Sequence, residues 1–273
     1  MNDYEQQQNA GITLTIQPST TRWRANEASS IAATPIQVKY IFLDVADFTN
    51  PCRTTEDQTA IVQTLNCIVT SSVAGYEFYS HEDEYILREE KGMIFLPTGD
   101  GMCIALLNLA KYPEYNDNVN MDIALSIVES INNYNKNNTQ WKNRKFKVRI
   151  GLNEHKDNMV LDINRKLNIV GYGINMASRI MNLADCNQIL VGEPVFNDLK
   201  NHEKYSEGKF EEYYGIVKHD YIIKFYQFIG EHKNDIGLNT EKPRNSLSLL
   251  QYKDSSYYPT KKWSVIYRET TEH

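Results

Sequence analysis

The sequence has no long apolar run and few cysteines, and these two absences limit what kind of protein it can be. No stretch of the 273 residues approaches the length of a transmembrane helix, and the polar N-terminus lacks the apolar segment of a signal peptide. The four cysteines lie far apart without a CxxC pair, which argues against a zinc site or a disulfide framework. We therefore expect a soluble, cytoplasmic protein with reduced thiols and no membrane partner.

Positive charge is also scarce. Lys and Arg total 29 against 35 for Asp and Glu, so the formal net charge is −6. Surfaces that bind nucleic acids are normally basic, so we expect no nucleic-acid partner, and the isolated triplet Arg22-Trp23-Arg24 is more consistent with a solvated face. Hydrophobic residues make up 41% of the chain, enough for a sizeable core in one large domain or one and a half.

One stretch carries a charged residue where an apolar strand ends. Residues 40–45 have the pattern of a strand buried on both faces, and Asp44 lies at its end. A carboxylate in that position costs free energy unless something neutralises it. Asp100 lies between two glycines in a turn between two further apolar runs. If the strands are neighbours, the two carboxylates suit a pair of divalent cations, Mg²⁺ or Mn²⁺; Asp44 alone is equally consistent with a structural cap.

The order of the predicted elements favours an α+β fold. Strands and helices alternate as β-α-β-β-α-β, which is typical of the ferredoxin-like arrangement, a mainly antiparallel sheet with helices on one face. The predicted strands of this core are 37–45, 93–97, 102–107 and 145–152, and its helices begin near Thr54 and at Val119. Residues 159–163 are predicted to form a separate strand that pairs with 145–152. Later elements are predicted at 174–183, 188–191, 210–217 and 221–229.

Composition predicts two extensions around this core. Residues 1–35 are polar and are expected to form a flexible or dimer-contacting arm, whereas residues 36–230 form the main domain. Residues 231–273 are polar but rich in aromatic side chains, which is unusual for pure disorder. We expect this tail to dock on the domain or on a partner.

Later residues complete a set suited to phosphoryl transfer. Asn175 and Arg179 lie one turn apart on one face of a predicted helix. Phosphoryl transfer needs positive charge near the phosphate oxygens, which Arg179 could supply while Asn175 orients the sugar. Arg149 and Lys218 are further candidates for phosphate contacts, although a single basic residue is more often a solvated surface residue.

Three segments in order resemble the signatures of class III nucleotide cyclases. They are residues 42–49 around Asp44, Thr98-Gly99-Asp100-Gly101, and Asn175-Met176-Ala177-Ser178-Arg179. The resemblance covers residues 37 to 230. It implies a homodimer with two active sites at the subunit interface and an attack of the ribose 3′-hydroxyl on the α-phosphorus of a nucleoside triphosphate, releasing pyrophosphate.

The resemblance also assigns roles to single residues. Asp44 and Asp100 of one protomer, with the backbone carbonyl of Val45, would hold two metal ions. Asn175 and Arg179 would come from the other protomer. Lys218 matches the family's triphosphate-binding lysine, and Arg149 is a weaker match to its phosphate-contacting arginine.

The departures from the family bear on the base of the nucleotide. Adenylate cyclases carry a Lys where this chain has Leu96, and an Asp or Thr at the position we assign to Tyr172; guanylate cyclases usually carry Glu and Cys there. Leu96 cannot hydrogen-bond a base, and the bulk of Tyr172 should shrink the pocket, so we expect CTP or UTP, with a slight preference for CTP. Phe48 is expected to line the pocket or to join the core. Asp47 replaces a usual Gly and is expected to be a surface carboxylate or a neighbour of the metal ligands.

With these departures, the chain resembles the pyrimidine cyclases of bacterial Pycsar anti-phage systems, whose cyclic CMP or cyclic UMP switches on a separate effector. Two alternatives stay open. One is an adenylate cyclase that recognises adenine through other groups. The other is a catalytically silent, dimeric cyclase-homology module, which would be free to lose the candidate active-site residues that this chain retains.

Overall fold

The computed structural model describes residues 34–76, 92–107, 118–164, 166–230 and 236–258. Most of the predicted N-terminal extension, including Arg22-Trp23-Arg24, and the last residues of the C-terminal tail lie outside these ranges. None of the helices in these ranges has the length and hydrophobicity of a membrane-spanning segment.

Nine strands form one sheet in the described residues, and the α+β fold with a mainly antiparallel sheet is confirmed. The sheet order is β2-β3-β1-β4-β6-β8-β7-β9, with β5 paired to the end of β4; β4 and β6 run parallel and the other pairs are antiparallel. The strands are β1 Thr34–Val45, β2 Met93–Pro97, β3 Gly101–Leu107, β4 Val148–Leu161, β5 Leu167–Val170, β6 Ile189–Gly192, β7 Phe210–Val217, β8 Tyr221–Phe228 and β9 Ser246–Leu247.

Five α-helices accompany this sheet in the described residues. They are α1 Thr55–Val73, α2 Val119–Asn137, α3 Tyr172–Leu183, α4 Glu193–Leu199 and α5 Leu249–Lys253. The start of α1 is fixed by a capping box, in which the Thr54 side chain accepts from the Asp57 amide and the Asp57 side chain accepts from the Thr54 amide. The predicted β-α-β-β-α-β order is therefore present from β1 to β4.

The helices cover both faces of the sheet. Alternate residues of β1 point to opposite faces: Ile41 and Leu43 pack in the core with α1 and α2, whereas Val38 and Tyr40 pack with Ala177 of α3. We expected all helices on one face of the sheet. Helices α1, α2 and α4 share one face, but α3 packs on the opposite face. Strands β1 and β4 lie between these layers, which explains the apolar pattern on both faces of β1.

Strand β4 corrects one prediction. Residues 159–163 do not form a separate strand against 145–152, because a single strand runs from Val148 to Leu161. The twelve residues of β1 pair with Val148 through Met159 in one continuous antiparallel register, so β4 has no break along this length. The end of β4 pairs instead with β5.

Part of the C-terminal tail docks on the domain. Leu238 is buried in the core, and the amide groups of Gln188 and Gln227 donate to the carbonyl of Glu241 at 2.7 and 2.9 Å. Strand β9 extends the sheet beside β7, and the ring of Tyr252 stacks on that of Tyr214 with centroids 4.3 Å apart. The described part of the tail, residues 236–258, therefore continues the sheet and core of the domain.

Candidate active site

Asp44 and Asp100 lie at one end of the central strands. In register, Asp44 is opposite Gly101 of β3 on one side and Arg149 of β4 on the other. The amide of Val45 donates to the carbonyl of Asp100 at 3.2 Å, which ties the β2–β3 turn to the end of β1. A Cβ at position 101 would lie 2.2 Å from the carbonyl oxygen of Leu43, so only glycine allows this approach. The fold thus brings the two predicted carboxylates together.

The two carboxylates have different electrostatic surroundings. Arg149 donates to the carboxylate of Asp44 and forms an ion pair with it; the two side chains are 30% and 16% exposed. Burial raises the pKa of Asp100, and the negative charge of Asp44 raises it further. The Nε of Arg149 is buried without a hydrogen-bond partner among the described residues. Asp44 therefore has a counter-charge beside it, whereas burial and the charge of Asp44 disfavour ionisation of Asp100.

This donor set fits hard divalent cations. Two carboxylates and the nearby Val45 carbonyl offer oxygen ligands, which Mg²⁺ prefers, and a cation would relieve the repulsion that raises the pKa of Asp100. The described residues contain no cluster of three or more acidic, His or Cys side chains suited to a metal. Further ligands would then have to come from the nucleotide or water, as is usual for Mg²⁺.

The turn after Asp44 has a backbone conformation that suits the glycine usual in the cyclase pattern. Asp47 has a φ of +54°, in the left-handed region where glycine is most easily accommodated. Arg53 holds this turn by donating to the carbonyl of Asp47 at 2.6 Å and to that of Lys145 at 3.0 Å. The Asp47 side chain is exposed, and Phe48 packs half-buried against the core on the α1 and α2 side.

Asn175 and Arg179 lie on α3, whose neighbouring residues Met176, Ala177 and Ile180 are buried. Asn175 is exposed and donates to the carbonyl of Gly171 at 2.7 Å, whereas Arg179 is half-buried. Lys218 is exposed on a short 3₁₀ turn between β7 and β8.

Within one chain, the candidate residues fall into two groups. Among the described residues, no hydrogen bond or ion pair joins Asn175, Arg179 or Lys218 to Asp44 or Asp100. The structure therefore brings together Asp44, Asp100 and Arg149, and it holds Asn175 and Arg179 on α3 and Lys218 on the turn between β7 and β8.

The start of α3 is held by a residue that the sequence analysis missed. Asp157 of β4 is only 2% exposed and accepts from the amides of Gly173 and Ile174 at 3.1 and 3.0 Å. It also accepts from the hydroxyl of Tyr40 at 2.7 Å and lies 2.6 Å from Nδ1 of His155. Asp157 thus caps α3, the helix that carries Asn175 and Arg179, although Asp157 belongs to β4 and not to the segment just before the helix. The sequence signal for this contact was the Gly171-Tyr172-Gly173 segment, because glycines are common where another part of the chain approaches the backbone closely.

Leu96 lies on β2, and Tyr172 lies at the start of α3. Leu96 is half-buried and packs in one apolar cluster with Ile169 and Ile174. Tyr172 is the first residue of α3, is 54% exposed, and contacts the ring of His155. Asn168 on β5, beside the cluster residue Ile169, is a further polar side chain that the sequence analysis did not consider; its Oδ1 accepts from the Ile169 amide at 2.7 Å.

The family model described as the adenylate and guanylate cyclase catalytic domain matches residues 32–220. The chain belongs to this family. It is therefore a nucleotide cyclase catalytic domain, whose family acts on nucleoside triphosphates with divalent metal ions, and the predicted class III cyclase family is confirmed. No curated protein sequence matches the chain.

Solved structures of similar fold are also nucleotide cyclases. The guanylyl cyclase Cya2 has a TM-score of 0.56 at 14% identity over 74% of this chain and 97% of its own. The guanylate cyclase domain of RhGC from Catenaria anguillulae, in complex with GTP, has a TM-score of 0.51 at 21% identity over 72% of this chain and 98% of its own. The adenylyl cyclase CyaB from P. aeruginosa has a TM-score of 0.50 at 14% identity over 74% and 97%. At these identities the likeness shows the fold alone.

Proposed function

We propose that this cyclase converts a pyrimidine nucleoside triphosphate, CTP or UTP, to its 3′,5′-cyclic nucleotide and pyrophosphate. The observation that carries the proposal is Leu96. Its side chain lies where the family's purine cyclases carry a polar residue for the base, and it packs among apolar neighbours. A pocket selects a purine base through polar side chains that hydrogen-bond to it. A pocket without such a side chain has little means of preferring a purine over other bases.

The bulk of the Tyr172 side chain supports a small base. Tyr172 occupies the first position of α3, two residues before Ile174, which packs against the apolar cluster that also includes Leu96. Its ring takes space that an Asp, Thr or Cys would leave open. A one-ring base fits such a pocket better than a two-ring base, and the tyrosine hydroxyl can donate or accept a hydrogen bond.

The candidate residues divide the chemistry between two protomers of a homodimer. Asp44, Asp100 and the Val45 carbonyl would hold two divalent ions, Mn²⁺ or Mg²⁺, and these would supply a lowered pKa at the 3′-hydroxyl and positive charge for the triphosphate. Asn175 of the partner orients the ribose. Arg179 and Lys218, also from the partner, stabilise the negative charge that spreads over the phosphate oxygens in the transition state.

Arg149 has two possible partners in this scheme. In the structure it is paired with Asp44, and its Nε has no partner among the described residues. With cations bound at Asp44, the Arg149 guanidinium would be free to bind a phosphate oxygen, for which its planar fork is well suited. The 3′-oxygen bonds to the α-phosphorus as the bond between that phosphorus and the oxygen bridging to the β-phosphate breaks; pyrophosphate leaves, and the hydroxyl proton passes to solvent water.

The product is proposed to be a second messenger in anti-phage defence. This part rests on the resemblance to Pycsar pyrimidine cyclases. In such a system the cyclic CMP or cyclic UMP binds a separate effector protein, so the cyclase itself needs no contact with the effector.

The test is to incubate the purified protein with Mn²⁺ and an equimolar mixture of ATP, GTP, CTP and UTP, and to identify products by mass spectrometry. A dominant cyclic CMP or cyclic UMP peak supports the proposal. A dominant cyclic AMP or cyclic GMP peak overturns the inference from Leu96 and Tyr172 and leaves the family assignment intact. If nucleotide binds but no cyclic product forms, the domain is a silent binding module instead.

A further inference from the structure

A buried carboxylate on β4 holds the backbone at the start of α3. Asp157 is 2% exposed, and its two carboxylate oxygens accept from the amides of Gly173 and Ile174 at 3.1 and 3.0 Å. The first amides of a helix have no acceptor within the helix itself, so one side chain of the sheet satisfies two of them. The next residue along the helix is Asn175.

The surroundings of Asp157 keep it ionised and in one orientation. The hydroxyl of Tyr40 donates to it at 2.7 Å, and Nδ1 of His155 lies 2.6 Å from it. Burial opposes ionisation, but the hydrogen bonds from Tyr40, Gly173, His155 and Ile174 outweigh it and lower the pKa of Asp157. The negative charge at the N-terminus of α3 also interacts favourably with the helix dipole.

A second side chain of β4 holds the same turn. Asn153 is 3% exposed, and its Nδ2 donates to the carbonyl of Gly173 at 3.0 Å. The amide and the carbonyl of Gly173 are therefore both bonded to β4. A Cβ at position 173 would lie 2.4 Å from the Cβ of His155 and 2.8 Å from Oδ2 of Asp157, so the first turn of α3 lies directly against the strand.

Further along, the helix also lies on the backbone of β4. A Cβ on Gly151 would lie 2.6 Å from the carbonyl oxygen of Ala177 and 2.4 Å from the nitrogen of Met181. In the sequence, Asn175 lies between the Asp157 contact and the Gly151 contact, and Arg179 lies between Ala177 and Met181. The two contacts with β4 therefore set the position of the helix backbone that carries both side chains.

We propose that Asp157 is a positioning residue for catalysis, which holds the first turn of α3 on β4 and so places Asn175 and Arg179 for the reaction. The inference rests on the proposed division of the active site between two protomers. Asp157 acts through the helix and not through contact with the nucleotide. Such a role has a large effect on rate, because a displacement of about 1 Å in a catalytic group can cost about a hundredfold.

The first experiment measures the kinetics of Asp157→Asn with Mn²⁺ and the nucleoside triphosphate that gives the dominant product. Asparagine is nearly the same size, but its amide group brings hydrogens against the amides of α3. The matched control is Tyr205→Phe. Tyr205 is also buried and donates to a carboxylate, that of Asp122 on α2, on the other face of the sheet. Thermal unfolding reports the stability of each variant, and size-exclusion chromatography reports its dimer.

Asp157→Asn should lower kcat about 10- to 100-fold and leave KM within about twofold of wild type, because Asn175 and Arg179 act mainly in the transition state. The stabilisation by Mn²⁺ should persist, since the candidate metal ligands lie on other elements. Tyr205→Phe should lose stability and keep kcat. An unchanged kcat in folded Asp157→Asn overturns the inference.

Subunit mixing then assigns Asp157 to one half of the active site. Mixed dimers of Asp157→Asn with Asp44→Ala have one site in which the metal ligands and α3 are both intact, so activity should rise towards about a quarter of wild type. Mixed dimers of Asp157→Asn with Arg179→Ala have no site with an intact α3 and should not recover. Recovery with Arg179→Ala instead would place the effect of Asp157 on the metal ligands and overturn the inference.

Gly173→Ala tests the same contact if Asp157→Asn does not fold. This variant keeps every hydrogen-bonding group, but its Cβ collides with His155 and Asp157, so the first turn of α3 must move away from β4. Its kinetics and its mixing behaviour should follow the same pattern. If neither variant folds as a dimer, the contact serves the fold alone and the inference is wrong.

The mixture of Asp44→Ala with Arg179→Ala separates this inference from the proposed function. If that mixture recovers activity and the mixture of Asp157→Asn with Asp44→Ala does not, the inference alone is wrong. If confirmed exchange restores no activity in the first mixture, the divided site is wrong, and the kcat of Asp157→Asn still decides the role of Asp157. If wild type forms no cyclic product from any nucleotide, both are wrong.

Discussion

Arg149 on β4 donates to the carboxylate of Asp44, the residue directly opposite it on β1. This pairing makes the two candidate metal ligands unequal. Asp44 has a guanidinium beside it, whereas the pKa of Asp100 is raised by burial and by the charge of Asp44. The protein without metal therefore carries an unfavourable charge at Asp100 when that group is ionised.

Replacing that charge should stabilise the metal-free protein. An acid whose pKa is raised on folding stabilises the fold while protonated, and this contribution is lost as the pH rises through the folded pKa. Asp100→Asn removes the charge at all pH values, so at pH 7 it should raise the melting temperature without metal and abolish cyclase activity. The measurement is thermal unfolding with and without Mn²⁺, alongside activity.

Mn²⁺ should stabilise wild type and have little effect on Asp100→Asn. Asp254→Asn serves as the matched control, because Asp254 is exposed beyond α5, and it should respond to Mn²⁺ like wild type. Full activity of Asp100→Asn would contradict the assignment of Asp100 to the metal site.

Mixing two inactive proteins should restore activity. Asp44→Ala lacks a metal ligand, and Arg179→Ala lacks a phosphate contact that we assign to the other protomer. After subunit exchange, half of the dimers are mixed and each has one complete site, so about a quarter of wild-type activity should return. Exchange is followed with differently tagged subunits. Confirmed exchange without recovery would count against the shared site.

The hydroxyl of Tyr40 should contribute to stability through Asp157. Tyr40 is fully buried, and its hydroxyl donates to the Asp157 carboxylate at 2.7 Å. Tyr40→Phe should lower the free energy of unfolding by about 1.5–3 kcal/mol, the range for a hydrogen bond to a charged group. Chemical denaturation of both proteins measures the difference.

The same variant should be more sensitive to acid. The lowered pKa of Asp157 contributes stability above its unfolded pKa of about 3.9, and that contribution is lost as the pH falls. Without the Tyr40 donor the folded pKa rises, so the loss should begin at a higher pH. Tyr213→Phe is a control, because Tyr213 donates to Glu211 at the other end of the sheet.

The docked tail, residues 236–258, should stabilise the folded protein through the stacked rings of Tyr252 and Tyr214. The Tyr252 ring stacks on Tyr214 and meets Tyr258 edge-on, at centroid distances of 4.3 and 5.2 Å. Tyr252→Ala should destabilise the protein by about 1 kcal/mol or more, since aromatic pairs contribute beyond their buried area. Tyr257→Ala is the matched control, because Tyr257 is exposed and lies in the same segment. Equal melting temperatures for the two variants would show that the stack is not stabilising.

Local signals in the sequence predicted much of the fold. Thr54 and Asp57 have the spacing of a capping box, and the Gly-Asp-Gly turn marked the hairpin that holds Asp100. The apolar pattern of β1 on both faces was also visible, and it indicates a layer on each side, as the structure has.

What the sequence did not predict depends on contacts between distant residues. The middle of β4 is polar, so its pattern suggested a break between two strands. In the fold, Lys39 forms an ion pair with Glu154, the side chain of Asn153 donates to the Gly173 carbonyl, and Asp157 caps α3. A buried polar residue is stable only with its partner, and the sequence does not show which residue that partner is. The role of Asp157 was missed for the same reason.

The close approach at Gly101 has a consequence for how the site could be lost. A Cβ there would lie 2.2 Å from the Leu43 carbonyl oxygen and 2.8 Å from the Asp44 Cα, so any side chain would push β3 away from β1. The spacing between the two carboxylates thus depends on the absence of a Cβ at position 101, where the backbones of β1 and β3 touch. A substitution at position 101 would spread the aspartates apart while leaving both in place, and the enzyme would fail with every candidate metal ligand intact.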